Sequence, residues 1–234
     1  MSESMLTATR RLFYERGGPW YRCRAAELLG SRRYSQPALF GMDRRLAELF
    51  GGRAGTFVEA GAHDGYTQSN TYYLERFLGW RGVLVEPVPR LAARCARRRP
   101  RARVFNCALV GEAEPGELAE IHFGDLMSTL DPEAVPADVR RRYSAAVPAR
   151  TLSSVLDEAG VADLDVLILD VEGREADVLR GLDLERHAPA YMLLEALEIE
   201  TARPRYAALL EPRYELVEDF SSYDLLFRRT AGPR

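Results

Sequence analysis

Carboxylates at the ends of apolar runs are the residues of this chain best placed to do chemistry. Thr56-Phe57-Val58 leads into Glu59-Ala60-Gly61-Ala62-His63-Asp64-Gly65, and a helix-length later Val83-Leu84-Val85 leads into Glu86-Pro87. In an α/β sheet, ligands sit outside the carboxyl ends of the strands. Glycines there let a ligand approach the backbone, and an acid ending the second strand can grip two ribose hydroxyls. The pair therefore reads as a nucleoside site, with Glu59, Gly61, Asp64 and Gly65 forming its turn and Glu86-Pro87 its ribose edge. Two further acids, Asp170 and Glu195, end later apolar runs and can position and deprotonate a hydroxyl. His63, inside the first turn, is the alternative base.

The glycine spacing is not the G-x-G-x-x-G of dinucleotide enzymes. It fits the looser E-x-G-x-x-x-G turn of S-adenosylmethionine (SAM) enzymes, where no pyrophosphate has to be cradled. Gln68, Ser69 and Asn70 open a helix whose free N–H groups suit the methionine carboxylate. Asn106-Cys107-Ala108 ends a third strand, where adenine is expected.

Repeated strand–helix units must position these groups. Strands are expected at 56–60, 83–86, 103–108, 165–170 and 190–195, and helices at 69–78, 89–98, 152–159, 175–180 and 202–210. A hairpin of 214–217 and 223–227 closes the chain. Such repeats imply a parallel sheet with helices on both faces and one reversed strand at the end. Residues 1–50 read as a helical extension or lid on a domain of 51–234, and 111–150 as an insert with one strand at 118–123. The insert is long for a compact domain and is expected to close over the substrate. Tyr34 and Gln36 of the extension and Met127 and Ser128 of the insert are the candidate contacts with the acceptor.

Composition narrows the function. The 234 residues carry a net charge of −3, so no global field favours nucleic acid. Every basic residue is arginine, so no lysine is available as a base or Schiff-base former. Cys23, Cys95 and Cys107 show no zinc spacing, and the scattered His63, His122 and His187 make no histidine site. No metal is expected, although Asp170 and Glu195 offer oxygen ligands to a hydrated Mg²⁺. No run has the length of a membrane span or a signal peptide, so a cytoplasmic location is expected. The arginines between Arg94 and Arg103 read as a solvated helix end, and Tyr72, Tyr73 and Phe77 as core.

Taken together, Tyr34-Ser35-Gln36, the Glu59–Gly65 turn, Ser69-Asn70-Thr71, Glu86-Pro87 and above all Asp170-Val171-Glu172-Gly173 resemble the FkbM family of SAM-dependent methyltransferases. The resemblance runs from about Tyr34 to the C-terminus, and many relatives carry histidine where Arg174 stands. It implies the class I methyltransferase fold, Rossmann-like and seven-stranded with a C-terminal antiparallel hairpin. It also implies SAM as cofactor, S-adenosylhomocysteine (SAH) as product, and a small-molecule hydroxyl such as that of a sugar or polyketide as acceptor. A nicotinamide-dependent oxidoreductase and a catalytically silent SAM- or nucleoside-binding partner protein are the alternatives. Glu172 and Glu175 are expected to favour the start of the following helix.

Overall fold

The computed structural model describes residues 18–114, 116–124, 128–131, 133 and 143–230. The main sheet contains β1 (Thr56–Ala60), β2 (Arg81–Val85), β3 (Arg103–Phe105), β7 (Val166–Leu169), β8 (Tyr191–Glu195), β9 (Tyr214–Asp219) and β10 (Asp224–Arg229). Its order is β3-β2-β1-β7-β8-β10-β9. The β1, β2, β3, β7 and β8 pairings are parallel, and β10 runs antiparallel to both β8 and β9. This is the expected architecture, with the order reversing between β1 and β7.

Period-two alternation assigns each strand residue to a face. Val58, Val83, Leu167 and Leu194 face one core, which α5 (Leu152–Ala159), α6 (Glu175–Arg180) and α7 (Ile199–Leu210) cover through Leu156, Val178 and Tyr206. Phe57, Leu84, Ile168 and Leu193 face the other, covered by α2 (Met42–Leu49), α3 (Tyr72–Leu78) and α4 (Pro89–Arg98) through Leu46, Leu74 and Cys95. Strands buried on both faces have to be nearly all apolar, as Val-Leu-Ile-Leu in β7 is. Helix α1 (Gly18–Leu28) joins the second layer through Cys23, packed with Tyr66 and Tyr72. Its Glu27 accepts hydrogen bonds from Ser35 Oγ and Tyr72 Oη at 2.9 and 3.1 Å. Leu28 and Leu29, at the end of α1 and just after it, are exposed. Leu6, Leu12 and Phe13 of the expected helical extension lie outside the described residues.

The third strand differs from expectation. It leaves the main sheet at Phe105, and Ala108–Leu109 forms β4 of a second sheet, ordered β4-β6-β5 with β5 (Leu118–His122) and β6 (Ser144–Arg150). The break lies at Asn106, whose Nδ2 donates to the carbonyls of Glu86 and Pro87 at 2.9 and 2.7 Å and so pins the turn. β6 was not expected, because Pro148 argues against an interior strand. The chain accommodates it because β4 pairs only with Ala149 and Arg150, so no strand lies opposite the proline nitrogen on that side. No helix among the described residues is long and apolar enough to cross a membrane.

Candidate active site

The carboxyl ends of β1, β2, β7 and β8 open into a cavity of about 530 Å³, within the usual range for small-molecule sites. Its floor is Gly61, Glu86 and Asp170; one wall is Cys107, Ala108 and Leu109. The second sheet and the segment after it add Ile121, Ser128, Thr129 and Leu130. Leu39, Leu197 and Tyr223 stand at the rim, each largely exposed. Pairing of β1 with β2 and β7 sets Glu59, Glu86 and Asp170 at neighbouring strand ends.

The acidic turn does two jobs. Glu59 is buried and accepts bonds from Ser69 Oγ at 3.0 Å, from the Asn70 N–H at 2.8 Å and from Thr71 Oγ1. It lines the cavity, and it also fixes the segment before α3, which begins at Tyr72 and not at Ser69. Ser69 Oγ accepts from the N–H groups of Thr71 and Tyr72, so it still serves the helix start. Asn70 reaches the cavity with its Oδ1 buried and, among the described residues, without a donor.

Asp64 and Gly65, read from the sequence as cofactor contacts, face elsewhere. Asp64 is buried and accepts from the N–H groups of Tyr66 and Thr67 at 3.1 and 2.8 Å. Burial opposes its charge, but the His63 hydrogen bond and the Arg98 charge hold its carboxyl well below the usual carboxylate range. Gly65 has φ +80°, and a Cβ there would lie 2.9 Å from Arg99 Cγ and 3.0 Å from Cys95 Sγ. The glycine is needed for its close approach to α4, and it is not in the cavity lining. Asn106 is likewise absent from the lining, its amide being used by the β2 end, whereas Cys107 and Ala108 line the cavity.

Glu86 lines the cavity at the end of β2. Its Oε2 accepts from the His63 N–H and its Oε1 from the Val88 N–H, both at 2.8 Å, which aims the carboxylate into the cavity with Pro87 beside it. Burial pushes its pKa up to about 7. Burial, followed by the Asp170 charge, raises Glu172 to about 7 as well. Glu175 behaves as expected, accepting from the Val171 and Gly173 N–H groups. Glu172, by contrast, lines the cavity, a role its sequence reading missed. Asp170 and Glu195 meet side by side, since β7 pairs with β8 at Leu169 and Leu194. Burial raises both carboxyls, and the Asp170 charge raises Glu195 further, so the two are not both ionised near neutral pH.

His63, Gln68 and Glu172 have φ of 49°, 57° and 55°, rare for residues with a Cβ, and all three line the cavity. Strain of this kind concentrates at ligand sites. The DVEG motif was the signal for Glu172, and Gln68 belongs to the helix start read as suiting the methionine carboxylate. Tyr34 and Gln36, expected at the acceptor, are not in the lining. Tyr34 instead accepts from Tyr66 Oη with its carbonyl at 2.6 Å and stacks under Arg22. Ser128 is in the lining, and Met127 lies outside the described residues. Among the described residues no group of His, Cys, Asp and Glu has the arrangement to hold a metal.

The raised acids make stability pH-dependent. Asp43, which burial raises to about 6, joins Glu86 and Glu172. In each the folded state holds a proton that the unfolded chain has given up, so stability falls as pH rises from the ordinary carboxylate range through about 6–7. The ligand-free protein should melt several degrees lower at pH 8 than at pH 5.5. A midpoint that rises over this interval would refute the assignment.

The sequence matches the family described as Methyltransferase FkbM domain over residues 59–226. No curated protein matches the chain. Among solved structures, an O-methyltransferase from Bacillus cereus in complex with SAH is 14% identical, with 90% of this chain and 87% of that one covered at a TM-score of 0.48. A TehB-like SAM-dependent methyltransferase from Corynebacterium glutamicum is 13% identical, with coverage of 92% and 97% and a TM-score of 0.44. Likenesses this distant assign no function. With its family match spanning the cavity's strand-end acids from Glu59 to Glu195, the chain belongs to the FkbM family of SAM-dependent methyltransferases.

Proposed function

We propose that the protein transfers the methyl group of SAM to a hydroxyl of a small molecule. The observation that carries this reading is the convergence of Glu86, Asn70 and the Asp170–Glu195 pair on one cavity at the strand ends. The residues present suit the cofactor. Glu86 offers acceptors to two ribose hydroxyls, Cys107 and Ala108 an adenine wall, and Asn70 Oδ1 an acceptor lacking a donor among the described residues. The bound cofactor supplies an electrophilic methyl on a good leaving group, so the protein's task is chiefly alignment.

The acceptor is assigned to the side walled by Ile121, Ser128, Thr129 and Leu130, with Leu39 and Tyr223 at its entrance. There the insert excludes water, and Asp170 with Glu195, or His63, takes the hydroxyl proton. Membership of a methyltransferase family favours this reading over hydride transfer.

Calorimetric titration with SAH, paired with methyl-transfer assays on hydroxyl acceptors, tests it. Glu86→Ala should weaken SAH binding by about 1.5–3 kcal/mol, because hydrogen bonds to a charged group are lost. Unchanged affinity in a folded variant would remove Glu86 from the cofactor site. Cofactor binding without any turnover would favour the silent binding protein.

A further inference from the structure

The acids of the cavity outnumber what is needed to hold a neutral nucleoside. Asp170 ends β7, Glu195 ends β8 and Glu172 follows in the strained loop, all three lining the same space. Glu175 at the start of α6 and Glu59 on β1 add negative charge around Asp170. Asp224 on β10 stands in register with Glu195. Tyr206 on α7 donates to the Glu195 carbonyl and lies near Glu175, adding no charge. The cation facing this group is Arg174, whose guanidinium is bonded to Asp177 at 2.6 Å.

Asp170 directly follows and Glu195 ends strands paired at Leu169 and Leu194, so their carboxyls crowd one cavity. Each unit of negative charge added at such close range disfavours the next, so one proton stays. Among the described residues no donor reaches Glu195 Oε2 or Asn70 Oδ1, Asn70 being 5% exposed, and the donor left over beside them is Arg174 Nε. A cavity built of spare acceptors and a retained proton is prepared for positive charge. A cation entering it makes the second carboxylate charge favourable and drives the proton out.

Resting on the methyltransferase reading above, we propose that the Asp170–Glu195 pair, with Glu172 beside it, reads ligand charge: it gives up a proton when a cation enters the cavity, so the site prefers sulfonium-bearing SAM to its neutral product SAH. The preference clears the product, and the vacated pair is left able to take the acceptor's hydroxyl proton.

Binding calorimetry at pH 7.5 in two buffers of different ionisation enthalpy counts the protons. SAM, an analogue with an amine in place of the sulfonium, and SAH are each titrated. About one proton should leave per SAM or amine analogue bound and close to none per SAH, with SAM binding roughly tenfold or more tighter than SAH. Glu195→Gln keeps the side chain's size but cannot titrate. It should bring the SAM proton count to about zero and shrink the preference to under about threefold. Equal proton counts for SAM and SAH, or SAH binding as tightly as SAM, would overturn the charge-reading role while leaving the methyltransferase reading intact. Failure of all three ligands to bind would instead sink that reading. The wild-type counts decide the matter should the variant not fold.

Discussion

Gly61→Ala is expected to destabilise the protein by more than about 3 kcal/mol, whereas Gly116→Ala should cost only about 1–2 kcal/mol. Both glycines have φ of +84°. The left-handed backbone therefore penalises an added methyl equally at the two sites. The surroundings differ. At Gly116 a Cβ meets nothing within 4 Å, but at Gly61 it would lie 1.8 Å from the Asp170 carbonyl oxygen. That oxygen is backbone, so relief requires the ends of β1 and β7 to part, although the Asp170 N–H donates to the Ala60 carbonyl at 3.2 Å. Urea unfolding of the two variants separates conformational strain from the clash. Equal losses would show that φ alone explains Gly61. Because Asp170 moves with its carbonyl, SAH affinity should also fall in any Gly61→Ala protein that remains folded. The glycine is thus demanded first by strand packing, a reason the ligand-based reading of its motif did not contain.

That difference marks how far the sequence could be read. The succession of strands along the chain and the covering of both sheet faces were legible because Val-Leu-Ile-Leu and its fellows have one stable use, burial on both sides of a parallel sheet. Helix ends at Gly79 and Gly160 were legible because both glycines take the left-handed cap conformation. The acids of the site were legible because they follow apolar runs directly. Which of them face the cavity was not. Asp64 and Glu59 belong to one seven-residue turn, yet Asp64 turns toward Arg98 and Glu59 toward both the cavity and the α3 start. Spacing alone cannot distinguish a ligand contact from a contact with a distant arginine. β6 was hidden for a related reason. Its Pro148 is harmless only because β4 is short, a fact of tertiary pairing.

The arginine run shows the largest departure and gives the second prediction. Arg98 and Arg99 were grouped with their neighbours as a solvated helix end, but the Arg99 side chain is 1% exposed. Its Nε donates to Glu75 Oε2 at 2.6 Å, its Nη1 to Ser69 Oγ at 3.1 Å and the Gly65 carbonyl at 3.2 Å, and its Nη2 to Thr71 Oγ1 at 2.9 Å. Glu59 lies 3.9 Å away. One guanidinium therefore neutralises two buried acids and ties α4 to the segment carrying Asn70 into the cavity. Arg99→Met retains most of the volume but strands both carboxylates, so a loss of about 3–5 kcal/mol is expected, against less than about 0.5 kcal/mol for the exposed Arg97→Ala. Equal effects of the two would return Arg99 to the solvated face. Adding Glu75→Gln should recover part of the loss, because one of the stranded charges is then gone. The variant's deficit should also be smaller at pH 5 than at pH 8. An unpaired buried acid has a raised pKa and is accommodated by protonation, and that relief disappears as pH rises. A deficit independent of pH and of Glu75 would mean that Arg99 acts by packing its methylenes and not by its charge.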